Sequence, residues 1–171
     1  MKLKIQFDVE RRLGDPQLKI LVDDYLTLYD GSAQDEYEFN CDIEDGMHEL
    51  KILHYGKTKH DHGYDETGRL SIDKHVEIKI IELDDVLLEK ELWGGKFYPV
   101  YLHKKDSDPV FISPNLYLGH NGVWIIEFAT PTTDWLINLR RPGPKLAGTI
   151  FKTNSELVSI AKDFFKDLPD V

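Results

Sequence analysis

Apolar residues recur at every second position in short runs along this chain, and that period of two limits most strongly what it can fold into. From Lys2 to Val9 the side chains of Leu3, Ile5 and Phe7 fall on one face. Successive strand residues point to opposite sides, so such a run describes a sheet packed on one face and wet on the other. The same rhythm returns in residues 18–22, 25–29, 37–43, 49–55 and 76–83. Asp30-Gly31 predicts a tight turn between strands, and Asp45-Gly46 closes another run. His120-Asn121-Gly122 predicts a hairpin joining residues 116–119 to 123–128, because Asn-Gly favours the positive φ of such turns. Eight or more short antiparallel strands with regularly spaced turns make the expected fold mainly β, a β-sandwich or jelly roll.

Helical spacing enters only at the end. Thr153-Asn154-Ser155-Glu156 matches a capping box, and Leu157, Ile160, Ala161, Phe164, Phe165 and Leu168 form an apolar stripe behind it. Pro142-Gly143-Pro144 and Gly148 separate this C-terminal α-helix from the strands. The expected organisation is a sandwich over residues 1–141, then a linker and helix over 142–171. The helix either folds back on the sandwich or docks on a neighbouring subunit.

At 171 residues, with 41% hydrophobic and 11% aromatic residues, the chain can bury a core and is not of disordered composition. Its 31 acidic and 21 basic residues give a formal charge of -10, which repels phosphate backbones, so nucleic acid is not an expected partner. The apolar runs are too short to span a membrane, and residues 1–5 already alternate like a strand, so neither a span nor an export leader is expected. Cys41 is the single cysteine and allows no intrachain disulfide; its run places it on an inward face.

Catalytic patterns are weak. None of Ser32, Ser71, Ser107, Ser113, Ser155 and Ser159 lies in a Gly-x-Ser-x-Gly surround, and Gly94-Gly95 lacks the spacing of a phosphate loop. Carboxylates are so abundant that a glycosidase pair can be drawn almost anywhere. The expectation is a protein that binds or assembles and does not catalyse.

Two regions are candidates for binding. Residues 56–74 break the alternation and predict a long loop rich in His and Asp. Such loops in compact domains are usually functional or disordered. Asp61, Asp65 and Asp73 offer the hard oxygens that Ca²⁺ takes, while His60, His62 and the nearby His54 suit zinc or another transition metal. The bland alternative is a solvated loop whose aspartates cap its own turns. The second candidate is a sugar-stacking platform drawn from Trp93, Phe97, Tyr98, Tyr101, Tyr117, Trp124 and Trp135, with Trp93, Tyr98 and Tyr101 the carbohydrate-binding choice. Trp124 lies in the most apolar run and is expected in the core; Trp93, beside two glycines, is expected to be exposed.

Two stretches together carry a family resemblance. One is His48-Glu49-Leu50-Lys51-Ile52, Gly56-Lys57-Thr58, Asp61, Asp65, Gly68, Asp73-Lys74 and Val76-Glu77-Ile78. The other is Asn121-Gly122-Val123-Trp124, Phe128-Ala129-Thr130-Pro131 and Trp135-Leu136. Over roughly residues 17 to 139 the chain resembles small structural proteins of tailed bacteriophages, notably marine and cyanobacterial ones. Those proteins look like calcium-dependent, xylan-binding carbohydrate-binding modules. The resemblance implies a virion component of the tail, baseplate or capsid surface, assembled in the host cytoplasm as a homo- or hetero-oligomer with other phage structural proteins. It also implies calcium at Asp61, Asp65 and Asp73, and a cell-surface glycan as a further partner. The pattern departs at His62-Gly63-Tyr64, where the family usually has Thr and small apolar residues. The alternative functions are a calcium-dependent carbohydrate-binding module and, behind it, a small glycoside-active enzyme.

Overall fold

A computed structural model describes residues 1–101 and 109–140. In chain order its elements are β1 (Lys2–Val9), β2 (Gln17–Val22), β3 (Leu26–Ser32), β4 (Glu36–Asn40), β5 (Gly46–Tyr55), β6 (His62–Tyr64), β7 (Leu70–Asp73), β8 (Val76–Leu83) and β9 (Val86–Leu87). After a short 3-10 turn at Glu91–Gly94 come β10 (Lys96–Val100), β11 (Tyr117–Leu118), β12 (Asn121–Thr130) and the helix α1 (Thr132–Arg140).

The strands build two antiparallel sheets. The first has the order β11-β8-β1-β4, with β9 also paired to β8; the second runs β10-β12-β5-β2-β3. The alternation sets which face is buried. Leu3, Ile5, Phe7 and Val9 of β1 and Val76, Ile78, Ile81 and Leu83 of β8 point inward from the first sheet. Leu18, Ile20, Leu50, Ile52, Trp124 and Ile126 meet them from the second. Fully burying one such aliphatic side chain contributes about 1.5–3 kcal/mol, so this shared layer is what joins the sheets. The protein is thus a mainly β sandwich, as its sequence rhythm predicts. Trp124 is fully buried in this core, its indole N–H donating to the Asn115 carbonyl at 2.8 Å. Cys41 is buried as expected, and burial pushes its thiol up.

Two turn assignments and one loop assignment need correction. Asp30-Gly31 lies inside β3; the chain reverses one turn earlier, at Asp23, which takes a φ of 55°. The Asp23 carboxylate accepts the Glu49 amide at 2.9 Å, so this turn is also fastened to β5. The expected hairpin across Asn121-Gly122 does not form, because β11 pairs with β8 in the first sheet while β12 pairs with β5 and β10 in the second. Residues 119–120 therefore cross from one sheet to the other. Gly122 serves close approach: a Cβ there would meet the Tyr98 carbonyl at 2.5 Å and the Phe97 ring at 2.8 Å. The third correction concerns residues 56–74, which carry their own antiparallel hairpin, β6–β7, pairing His62 with Asp73 and Tyr64 with Leu70.

Asp84 and Asp85 both take positive φ between β8 and β9, the geometry of a two-residue hairpin turn. Asp84 also accepts from the Lys2 amide at 2.7 Å and the Thr132 hydroxyl at 2.8 Å, fixing the start of α1 against the first sheet. At the other end of α1, Arg140 forks onto Glu91 at 2.8 and 3.0 Å. The capping box and apolar stripe of residues 153–168, and the proposed boundary at 141/142, lie outside the described residues. Among the described residues no helix is long and apolar enough to cross a membrane.

Candidate functional site

The registers place several chain segments at one end of the sandwich. Gly122 faces His54, Val100 faces Asn121, and Val9 faces Val76, so residues just past these positions share that end. The β6–β7 hairpin springs from it, between the end of β5 and the start of β8. Tyr101, Tyr117, His75 and His120 flank it.

The hairpin's base is held by charge. Lys57 is buried, and its ammonium donates to Asp73 Oδ1 and to the Gly119 carbonyl. Lys74, also buried, pairs with Asp61 Oδ1 at 2.9 Å. The remaining oxygens are engaged as well: Asp61 Oδ2 accepts the Thr58 amide at 2.7 Å, and Asp73 Oδ2 accepts the Tyr117 hydroxyl at 2.9 Å. Burial works to raise the Asp61 carboxyl, but the Lys74 ammonium and Thr58 amide outweigh it and hold the group below its ordinary range. Burial and then the Asp73 carboxylate both push the Tyr117 phenol up. Asn121 completes the base by exchanging two bonds with Lys57, taking its amide at 2.9 Å and donating to its carbonyl at 2.8 Å.

His54 sits behind this base, fully buried on β5. Its Nδ1 lies 2.9 Å from the His120 carbonyl, which makes Nδ1–H the donor, and Nε2 has no hydrogen-bond partner among the described residues. Burial pushes the imidazole down to about 4; the nearby Lys57 and Lys74 act the same way, against the His120 carbonyl and Asp73.

The three aspartates of the expected metal site go to separate partners. Asp61 and Asp73 meet the two lysines. Asp65 sits exposed in its own turn, where Oδ1 accepts the Thr67 amide at 2.8 Å, the Thr67 hydroxyl at 2.7 Å and the Arg69 amide at 2.9 Å. Among the described residues no group of three or more His, Cys, Asp or Glu side chains is placed to hold a metal ion. His54 is buried against His120, while His62 packs edge-on to Tyr64 with centroids 5.5 Å apart.

Nor do Trp93, Tyr98 and Tyr101 form one platform. Trp93 is 60% exposed, as its glycine neighbours suggest. Tyr98 is only 2% exposed, packed with Leu21, Leu53, Val123 and Ile125 on the outer face of the second sheet beneath Phe111. It offers no face to a sugar. Tyr101 is half-buried and meets His120 edge-on with centroids 5.1 Å apart. The strand β10 separates Trp93 from Tyr101, and five extended residues span about 17 Å.

Among the described residues at the hairpin end, the exposed aromatic side chains are Tyr64 and Tyr117, with Tyr101 half-buried beside His120. Tyr64 is 62% exposed and cross-strand from the exposed Leu70. Tyr117 is 41% exposed and lies over His75 with centroids 4.5 Å apart. The sequence signal for Tyr64 was the interruption of an aspartate-rich loop by a bulky ring, which reads equally well as a solvated turn.

No protein-family model matches the chain, and no curated protein sequence matches it. Among solved structures it is similar to one described as vCBM60 in complex with galactobiose, with a TM-score of 0.47 and 14% identity over 75% of this chain and 98% of that one.

Proposed function

We propose that this domain is a non-catalytic glycan-binding module whose binding surface is the hairpin end of the sandwich. The observation that carries the reading is the pair of solvent-facing rings, Tyr64 and Tyr117, mounted on a base that ion pairs hold in place. Aromatic faces take up the apolar face of a pyranose ring, while neighbouring polar groups select among its hydroxyls. The exposed hairpin turn supplies such groups in Asp65, Glu66, Thr67 and Arg69. A hairpin whose legs are already fixed loses little freedom on binding, so more of the contact energy appears as affinity.

The test is a glycan array with the full chain, followed by titration of any hit against Tyr64→Ala and Tyr117→Ala. Binding that weakens at least tenfold in either variant, with folding retained, supports the proposal. A folded chain that binds no glycan, or binds one equally well without both rings, refutes it. Assembly into a virion, implied by the resemblance, is a separate property read by copurification with particles in fixed stoichiometry.

A further inference from the structure

We propose that the ammonium groups of Lys57 and Lys74 act as tethered cations in the carboxylate cradles at the hairpin base, so that the domain holds this loop without a divalent ion. The inference concerns how the loop is anchored and does not rest on the glycan reading. Ca²⁺ takes six to eight oxygens, with carboxylates as its strongest ligands. Here both oxygens of Asp61 and both of Asp73 already accept from donors of the chain itself. An ion entering either cradle would also meet an ammonium group at the position it needs.

The Lys57 cradle mixes oxygen types as a cation site does, one carboxylate and one backbone carbonyl, and places a lysine nitrogen at their focus. Its geometry is specified by the sequence around it. A Cβ at Gly119 would meet the Tyr117 ring at 2.4 Å and Asp73 Oδ2 at 3.2 Å, so only glycine lets Tyr117 and Asp73 close over that carbonyl. Neither lysine is a solvated surface charge, since both side chains are buried. The neighbouring His54, held neutral by its burial, adds no third positive charge.

Thermal unfolding of the full chain in 5 mM CaCl₂ and in EDTA is the first test. The midpoints should agree within about 1 °C, whereas calcium bound at a hundred times its Kd would raise the midpoint by about 5 °C or more and overturn the proposal. The second test uses charge removal. Lys57→Met leaves the Asp73 carboxylate, whose side chain is 14% exposed, without its counter-charge; it should lower the midpoint by at least about 6 °C, while Lys57→Met with Asp73→Asn should recover half or more of that loss. A single variant as stable as the parent, or a double variant no better than the single, overturns the proposal. If Lys57→Met fails to fold, a folded double variant supports the proposal and an unfolded one refutes it. No glycan is present in either measurement, so its outcome and that of the binding test are independent.

Discussion

Acidification puts a proton on the His54 ring, and the surroundings of that ring set how much stability the proton removes. In the unfolded chain the imidazole titrates near 6.5; in the fold, burial first and then Lys57 and Lys74 bring it to about 4. Between those values the unfolded chain binds a proton that the folded chain refuses, so stability falls as the pH falls. The contribution is complete above pH 6.5 and is lost progressively down to 4. Integrated over that window it amounts to about 2 kcal/mol by pH 5 and about 3 kcal/mol by pH 4. Against a typical domain stability of about 5–15 kcal/mol that is a large share for one side chain. Urea unfolding at half-unit steps from pH 7 to 4 measures it, with His54→Asn as the reference. The Asn amide keeps a donor for the His120 carbonyl and has no titration of its own. The wild-type curve should fall more steeply than the variant's by about 3 kcal/mol across the window. Parallel curves, or an NMR titration placing His54 near 6.5, would refute the reasoning.

Other expectations follow from individual contacts. Gly122→Ala drives a Cβ into the Tyr98 carbonyl and should cost about 2 kcal/mol or more in chemical denaturation. Trp124→Ala empties the centre of the core and removes the bond to Asn115, for a loss of about 3–5 kcal/mol by the same assay. Asp84→Ala removes acceptors from the Lys2 amide and the Thr132 hydroxyl and places Ala at positive φ; about 1–3 kcal/mol should go, and hydrogen exchange should quicken in α1. Tyr64→Ala should leave stability within about 0.5 kcal/mol of the parent, because the ring it removes is largely in water.

Strands with one buried face were legible because their alternation is itself the packing instruction: β1 runs from Lys2 to Val9 as the pattern states. Pairing between distant strands was not. Asn121-Gly122 carries the composition of a turn, yet its glycine answers to the proximity of Tyr98 and its asparagine to the backbone of Lys57. The β6–β7 hairpin carries no such signal, because His62, Gly63 and Ser71 present no apolar face. The helix α1 left only faint marks, with Pro131 ahead of it, Asp134 in its first turn and Arg140 in its last. At the site, the aspartates stood out and their partners did not. A lysine in a polar segment ordinarily looks like solvated charge, and only the fold turns Lys57 and Lys74 inward. The same limit applied to Tyr98, whose strand position gives it a buried face on the far side of the second sheet.

The two bonds between Asn121 and the Lys57 backbone have a consequence for how this fold can change. A side-chain amide there copies what a neighbouring strand's peptide group would supply, and with the two lysine pairs it makes a socket into which both legs of the hairpin are plugged. The stretch between His62 and Ile72 contributes none of these contacts, so changing its length or sequence should leave Lys57, Asp61, Asp73, Lys74 and Asn121 engaged as they are. A graft joined at those points should keep the same ion pairs and amide bonds beneath it, so the surface it presents is set apart from the core.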